Sequence, residues 1–376
     1  MCIMRKDNKI SIAMIATNLK LNGISSVIMT YVKYLNLDKY KLTLIVGAGV
    51  NDGYRAICQD RGVEIIELAP RKENSIGFYA GLLKSLILHR FDAVHVHGSN
   101  ASIGLELLIA RLLGVKIRIA HSHNTTSTNM RLHNLMKPIF NWSYTDAFAC
   151  GDLAGKWLFG SKKFTFIPNG IKLENFRFSK SIRNNERKKL GVQSNLLVGH
   201  VGRFNFQKNH SFILRIFEEI LELRHDAKLL LVGNGPDFQK IEKEILKLGL
   251  SDNIITYGET NKMEALYMAM DTFLFPSRFE GFPVTLIEAQ AAGLPCVVSN
   301  VISKEVKISS SLVFHSLSES PKLWAQAVIN STTNTLRDDF YEENSSKLKE
   351  FDERNVVLKL EKQYDLIFET RNVNLS

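Results

Sequence analysis

Cysteine and proline are scarce in this chain: its 376 residues contain four of the first and eight of the second. Cys2, Cys58, Cys150 and Cys296 stand far apart, and no pair has the C-x-x-C spacing of a zinc or redox motif. Neither a disulfide framework nor a cysteine-bound metal is indicated, which fits a reducing compartment and a cytoplasmic protein. Long apolar runs are also missing; none approaches the ~20 residues needed to span a bilayer. Arg5, Lys6 and Lys9 precede the apolar stretch 10–16, in the manner of a signal peptide. That stretch is short, contains Ser11 and continues into Thr17, Asn18 and Lys20 rather than a small-residue cleavage site, so it reads as a buried first strand. No short internal repeat or low-complexity tract interrupts the sequence.

What is present is an ordinary globular composition, 45% apolar, over a length better suited to two domains than to one core. The net charge of +10 is carried by the first half, whereas the second half is slightly acidic. A basic half points to an anionic partner: nucleic acid, a phospholipid surface or a phosphorylated substrate. No nucleic-acid-binding motif accompanies it, so no nucleic-acid partner is expected.

Short apolar runs alternate with helical patterns. In the first half, strands are predicted at 10–15, 42–46, 64–68, 93–96, 117–120, 147–149 and 164–167, with amphipathic helices at 26–35, 78–89 and 102–113. In the second half, strands are predicted at 196–201, 228–232, 254–257, 272–275 and 296–298, with helices at 210–223, 238–248, 263–270 and 284–292. This alternation predicts an α/β fold of two doubly wound parallel-sheet domains. The first would cover 1–178 and the second 179–354, with the charged segment 179–189 as a linker entering the first helix of the second. A last helical stripe, Val356, Leu360, Tyr364 and Ile367, lies within 355–370. Two such domains would face each other across a cleft at the carboxyl ends of their strands, where ligands of these folds bind. The loops after strands therefore carry the chemistry.

Residues 275–292 read Phe-Pro-Ser-Arg-Phe-Glu-Gly-Phe-Pro-Val-Thr-Leu-Ile-Glu-Ala-Gln-Ala-Ala. A strand ends at Phe275, a loop carries Glu280, Gly281 and Phe282, and Pro283 suits the first turn of a helix. The free amides of Val284 and Thr285 would then point out of the helix start, a setting that favours an anion such as a diphosphate. Glu280 sits beside that anion site, and Glu288 lies about one and a half turns into the helix. Each carboxylate could accept hydrogen bonds from a pair of sugar hydroxyls. A second cluster, Gly-Arg-Phe-Asn-Phe-Gln-Lys-Asn at 202–209, follows another strand and offers Arg203 and Lys208. Two cations near a helix start would neutralise a departing diphosphate.

Glu280 and Glu288, separated by seven residues, with Phe-Pro-Ser-Arg-Phe-Glu-Gly-Phe-Pro around the first, resemble the signature of glycosyltransferase family 4. That family has two Rossmann-like domains, the GT-B fold, and retains anomeric configuration. The resemblance implies that Glu280 contacts the donor sugar and Glu288 the donor ribose. It also implies that Arg203 and Lys208 contact the donor diphosphate. Gly233-Asn-Gly-Pro236 is similar to the family's glycine turn. No Asp-x-Asp pair occurs, so no metal and no other cofactor is expected beside the nucleotide-sugar substrate.

In the first half, Asn22-Gly23-Ile24-Ser25 follows the first strand where the family has Gly-Gly, often with Ile-Glu. Gly23 keeps the role of close phosphate approach, without the first glycine or the glutamate. His121-Ser-His-Asn124 ends a strand, and the resemblance aligns His123 with the family's active-site histidine near the donor sugar. His121 and His97 read as wall or structural residues. Two histidines two apart on a strand share a face and could bind a metal, but no acidic or cysteine partner is near in sequence. Asp152-Leu-Ala-Gly-Lys-Trp-Leu-Phe and Ile167-Pro-Asn-Gly-Ile171 also look like family segments, with Lys172 in place of the usual acidic residue.

The resemblance covers nearly the whole chain and is nearest to bacterial enzymes of capsular and exopolysaccharide synthesis. It implies a hexosyltransferase using a UDP-sugar donor and a glycan or lipid-diphosphate-linked acceptor. The basic half adds contact with an anionic membrane at the inner face of the plasma membrane. Competing readings are a nucleotide-sugar 2-epimerase of the same fold and a non-catalytic nucleotide-sugar-binding protein. A dehydrogenase is disfavoured: Gly47-Ala-Gly49-Val-Asn-Asp52 lacks the third glycine of a dinucleotide fingerprint and follows the second strand rather than the first.

Overall fold

The computed structural model describes residues 9–47, 49–127, 129–260, 262–332 and 337–372, with only the backbone of Asn372. Cys2, Arg5, Lys6 and Ala48 lie outside them. The chain divides into two compact units, 1–170 with 353–376, and 171–352.

The first unit is built on seven parallel strands: β1 Ile10–Ala16, β2 Tyr40–Val46, β3 Glu64–Glu67, β4 Ala93–Gly98, β5 Ile117–Ser122, β6 Asp146–Ala149 and β7 Thr165–Phe166. Their order is β3-β2-β1-β4-β5-β6-β7. Runs such as Ile-Ser-Ile-Ala-Met-Ile-Ala are buried along almost their whole length, as central parallel strands covered on both faces must be. The helices Ser75–His89, Gly104–Leu112 and Met130–Ser143 cover one face through Phe78, Leu82, Leu107, Met136 and Phe140. The helices Gly23–Tyr34 and Asp52–Asp60 cover the other. Asparagine begins many of these helices: the side chains of Asn22, Asn51, Asn74 and Asn129 each accept a hydrogen bond from a first-turn amide.

The last helix, Glu353–Asn372, belongs to this unit. It buries Val356, Val357, Leu360, Tyr364, Ile367 and Phe368 in the cluster that contains Ile12, Met14 and Leu44. Each such side chain contributes roughly 1.5–3 kcal/mol when fully buried. Polar contacts fix its register: Glu361 accepts the Asn36 amide at 2.6 Å, and Asp365 accepts the Tyr40 hydroxyl and pairs with Lys39 at 2.6 Å.

The second unit has six parallel strands: β8 Leu197–Val201, β9 Lys228–Val232, β10 Ile254–Gly258, β11 Thr272–Phe275, β12 Cys296–Ser299 and β13 Leu312–His315. Their order is β10-β9-β8-β11-β12-β13. In each sheet the order reverses between two central strands, β1 and β4 in the first and β8 and β11 in the second. The carboxyl ends there are the crevice of a doubly wound sheet. β13 and the helices Asp52–Asp60, Met130–Ser143, Asp152–Phe159 and Pro321–Thr332 are additions to the predicted elements.

Two sequence expectations need correction. The division falls after Gly170 rather than after residue 178, because Ile171 bridges to Asp352 and Leu173 and Phe176 are buried in the second unit. The charged segment 179–189, expected as a linker entering the first helix of the second domain, is itself that helix, Lys180–Lys189, capped by Ser179. Arg183 and Arg187 both pair with Asp271 just before β11, and both donate to the Ala269 carbonyl at the end of the helix Met263–Ala269. Their charge is spent on holding that helix end, where cations are favourable.

Candidate active site

Two loops meet at the reversal point of the second sheet. The loop after β8 holds Gly202, Arg203 and a 3-10 turn, Phe206–Lys208, begun by Asn205, whose side chain accepts the Lys208 amide. Asn209 then takes a left-handed conformation (φ 61°), which asparagine tolerates, before the helix His210–Leu223. The loop after β11 runs from Pro276 to Pro283 and leads into the helix Val284–Ala291. The loops are braced by four hydrogen bonds. The Arg278 amide donates to the Gln207 carbonyl at 2.8 Å, and the Gln207 side chain to the Phe279 carbonyl at 3.0 Å. The Asn209 side chain donates to the Pro276 carbonyl, and the Arg278 guanidinium to the Asn209 side-chain oxygen.

This bracing brings Lys208 Nζ to 2.8 Å from Glu280 Oε1. The lysine also lies 4.4 Å from the centroid of the Phe275 ring. A side chain at position 202 would meet the Lys208 stem at 2.8 Å, so glycine there is what lets the lysine cross its own loop. Gly233, at φ +134°, lies so close to the Gly202 carbonyl that a Cβ would come within 2.3 Å of it. The glycine turn after β9 thus lets two loops pack backbone to backbone.

Arg203 is exposed and has no hydrogen-bond or ion-pair partner among the described residues. No side chain caps the helix Val284–Ala291; Pro283 is its N-cap residue, one position earlier than expected. Gly281 and Phe282 are buried, the latter 5.7 Å between ring centroids from Phe351, while Val284 and Thr285 are half-buried. Thr285 Oγ1 and Ser277 Oγ are buried without a partner among the described residues. One buried ion pair, one free guanidinium and an uncapped helix start therefore share this end of the sheet, an arrangement suited to an anion.

Glu288 is half-buried on the same helix, and Tyr267 donates its hydroxyl to Glu288 Oε2 at 2.9 Å. Burial pushes the Glu288 carboxyl up to about 7; the Tyr267 hydrogen bond opposes this and the charge of Glu264 adds to it. Tyr267 was not anticipated. Its position on the helical stripe of 263–270 gave only a core signal, and its partner lies a strand and a loop away.

In the first unit, β4 and β5 run in register with His97 opposite His121. His95, His97, His121 and His123 share one face and stack, with ring centroids 4.2 Å apart for 95–97 and for 121–123. His97 Nδ1 is 2.9 Å from His123 Nε2, and His95 Nε2 is 3.1 Å from His121 Nδ1. His95 Nδ1 also meets the Tyr364 hydroxyl of the last helix at 2.7 Å. Burial holds all four far below the ordinary histidine value, His95 and His123 at about 3. They are neutral near pH 7, so His123 can offer a hydrogen bond but no charge and no ready proton. His95, His97 and His121 each have a ring nitrogen within 4.8 Å of the others, a geometry that could hold a metal. Two of these rings, however, already spend nitrogens on each other.

Gly23 is the first residue of the helix Gly23–Tyr34, after β1. A methyl group there would meet no atom within 4 Å, so the fold itself does not demand glycine.

The fold is that of an α/β protein of two doubly wound units, with the candidate site at the strand-order reversal of the second sheet. The Glycosyltransferase Family 4 pattern matches residues 21–175, and that of Glycosyl transferases group 1 matches residues 182–346. The chain belongs to this family of glycosyltransferases, of GT-B type. The putative glycosyltransferase EpsF of Bacillus subtilis (strain 168) is 35% identical over 63% of this chain, and the chain spans 65% of that relative's length. An Escherichia coli relative, UDP-Gal:alpha-D-GlcNAc-diphosphoundecaprenol alpha-1,3-galactosyltransferase, is 27% identical over 78% of this chain and 80% of its own. The crystal structure of Anabaena Alr3699/HepE in complex with UDP superposes with a TM-score of 0.78, covering 95% of this chain and 99% of that one at 16% identity. At that identity the likeness is one of fold.

Proposed function

We propose that the chain moves a hexose, with retention of configuration and without a metal, from a UDP-sugar to a hydroxyl of a lipid-diphosphate-linked glycan. The product would be an intermediate of a surface polysaccharide, made at the inner face of the plasma membrane. The observation that carries the donor reading is the meeting of Lys208, Glu280 and the uncapped helix start after β8 and β11. The relatives add chemistry: one is named for a UDP-sugar donor and a diphosphoundecaprenol acceptor, and a protein of like fold binds UDP.

In the reaction, the bond from the sugar's anomeric carbon to the diphosphate oxygen breaks, and its electron pair leaves with the diphosphate. The acceptor oxygen bonds to the same carbon on the same face. Its proton passes to the departing phosphate oxygen, so no side-chain base is required. Arg203, Lys208 and the amides of Val284 and Thr285 stabilise the charge that develops on the leaving group. Glu280 accepts hydrogen bonds from the sugar and Glu288 from the ribose.

The test is incubation with a panel of nucleotide sugars, with and without a lipid-diphosphate-linked acceptor. Nucleoside-diphosphate release and product configuration are then read. Acceptor-dependent release with an α-linked product is expected. Release with an epimerised sugar and no transfer would make the protein an epimerase. Binding without turnover of any donor would make it a sensor.

A further inference from the structure

The four histidines of β4 and β5 form two hydrogen-bonded pairs, His95 with His121 and His97 with His123. Because all four are neutral, each carries one N–H and one bare nitrogen. The bond made by one nitrogen then fixes what the other can offer. The chain of contacts begins outside the sheet, at Tyr364 of the last helix. Its hydroxyl is 2.7 Å from His95 Nδ1 and has no other hydrogen-bond partner among the described residues. Burial keeps this phenol protonated. A phenol donates well and accepts poorly, whereas a bare imidazole nitrogen accepts well. Tyr364 therefore donates to His95 Nδ1, which places the His95 proton on Nε2. That N–H is donated to His121 Nδ1 at 3.1 Å, and the His121 proton is left on Nε2.

The direction of the second pair follows from the first. His97 lies opposite His121, with ring centroids 5.1 Å apart and a ring nitrogen of each within 4.8 Å. His97 Nδ1 is engaged with His123 Nε2 at 2.9 Å, so Nε2 is the His97 nitrogen left over. Beside the His121 N–H, a bare nitrogen is attracted and a second N–H is repelled. His97 Nε2 is also buried without a partner among the described residues, and a donor left unmet there is costly. His123 differs in being half-buried at the end of β5, where a substrate can meet an N–H. His97 thus donates from Nδ1 to His123 Nε2, and His123 carries its proton on Nδ1. The His123 backbone is held by its amide, which donates to the Gly98 carbonyl at 3.1 Å.

We propose that Tyr364 and His97 are positioning residues, which set the protons of the ladder so that His123 offers Nδ1–H to a substrate oxygen at the carboxyl end of the first sheet. The proposal rests on the sugar-transfer reading above and deepens it, because it gives the last helix a part in the site.

The test is the long-range proton–nitrogen spectrum of the full-length protein with nitrogen-15 histidine, assigned from single-histidine variants. Protonated and bare ring nitrogens are distinguished directly. Protons are expected on Nε2 of His95 and His121 and on Nδ1 of His97 and His123. Tyr364→Phe should abolish the single pattern at His95 and His121 and lower kcat by about tenfold, with donor KM within about twofold of wild type. His97→Leu should lower kcat by roughly 10–10², and His97→Asn, whose amide N–H can replace Nδ1–H, should recover most of that loss. A merely space-filling His97 would make the two variants equally active. Where a variant fails to fold, the wild-type spectrum alone still decides. A proton on Nε2 of His123, or a Tyr364→Phe protein with all four patterns and kcat unchanged, would overturn the proposal. The expected spectrum in a protein that transfers sugar from no donor would support the proton pattern and count against the reaction proposed above.

Discussion

Lys208 Nζ lies 2.8 Å from Glu280 Oε1, and the two side chains are 12% and 8% exposed. The sequence motifs assign them to different parts of a donor, the diphosphate and the sugar, yet each neutralises the other before any ligand arrives. Removing either partner of a buried pair strands a charge and costs about 3–5 kcal/mol. Lys208→Met should therefore destabilise the second unit and lower kcat by roughly 10²–10³. The double variant Lys208→Met/Glu280→Gln should regain most of the stability but none of the turnover. Denaturant unfolding and steady-state rates separate the two effects; a double variant as unstable as the sum of the singles would mean the pair is not coupled.

Glu288 leads to a pH prediction. A carboxyl held at about 7 in the native state and near 4.3 unfolded binds its proton more tightly when folded. Stability should then decrease as pH rises between those values, and Glu288→Gln should remove that slope. A ribose hydroxyl is better accepted by the carboxylate, so donor KM should rise as pH falls through about 7. Glu288→Gln should have a high and pH-independent donor KM with kcat little changed. Tyr267→Phe removes the hydrogen bond that favours the carboxylate. It should move the acid limb of the wild-type profile to higher pH, which a purely structural tyrosine would not do.

The histidine ladder acts in the opposite direction. His95 and His123 sit near 3 in the native state but titrate at about 6.5 when unfolded. The unfolded chain thus binds more protons below pH 6.5, and the ladder's contribution to stability falls from there toward pH 3. Thermal unfolding of the first unit should show this acid sensitivity, and His95→Phe should lessen it, although it also forfeits the Tyr364 contact. Because His123 stays neutral throughout, the turnover profile between pH 5 and 8 should show no histidine limb. A limb that vanished in His123→Gln would contradict the burial argument.

Much of this was legible in the residues, for reasons that differ from element to element. Parallel strands buried on both faces read as apolar runs, so β1, β2 and β8 stood out, whereas β13, a partly exposed edge strand of four residues, did not. The helix Met130–Ser143 was missed because Pro138 lies inside it and its exposed side is as apolar as its buried one. Glu280, Lys208 and Arg203 could be found from spacing after strands, because such loops return to one end of the sheet. Their pairing could not: it depends on Gln207, Asn209 and Arg278, loop residues with no periodic signal that brace one loop against the other. The basic segment 179–189 was misread because charge alone does not distinguish a solvated linker from arginines spent on a helix end.

Arg203 should behave unlike Lys208. It follows β8, is exposed, and engages no other described residue, so the folded state gains little from it. Arg203→Ala should change stability by no more than about 0.5 kcal/mol. If its guanidinium meets the leaving diphosphate, the same variant should nonetheless lower kcat by about 10². The metal-free proposal sharpens the test. Glu280, the carboxylate beside the uncapped helix start, is already bound to Lys208, which leaves it poorly placed to ligate a cation there. Chelation by EDTA should therefore leave the wild-type rate unchanged, and added Mg²⁺ or Mn²⁺ should not rescue Arg203→Ala. Loss of activity on chelation, restored by a divalent ion, would show that the leaving group depends on a metal. The roles given to Arg203 and Lys208 would then have to be shared with it.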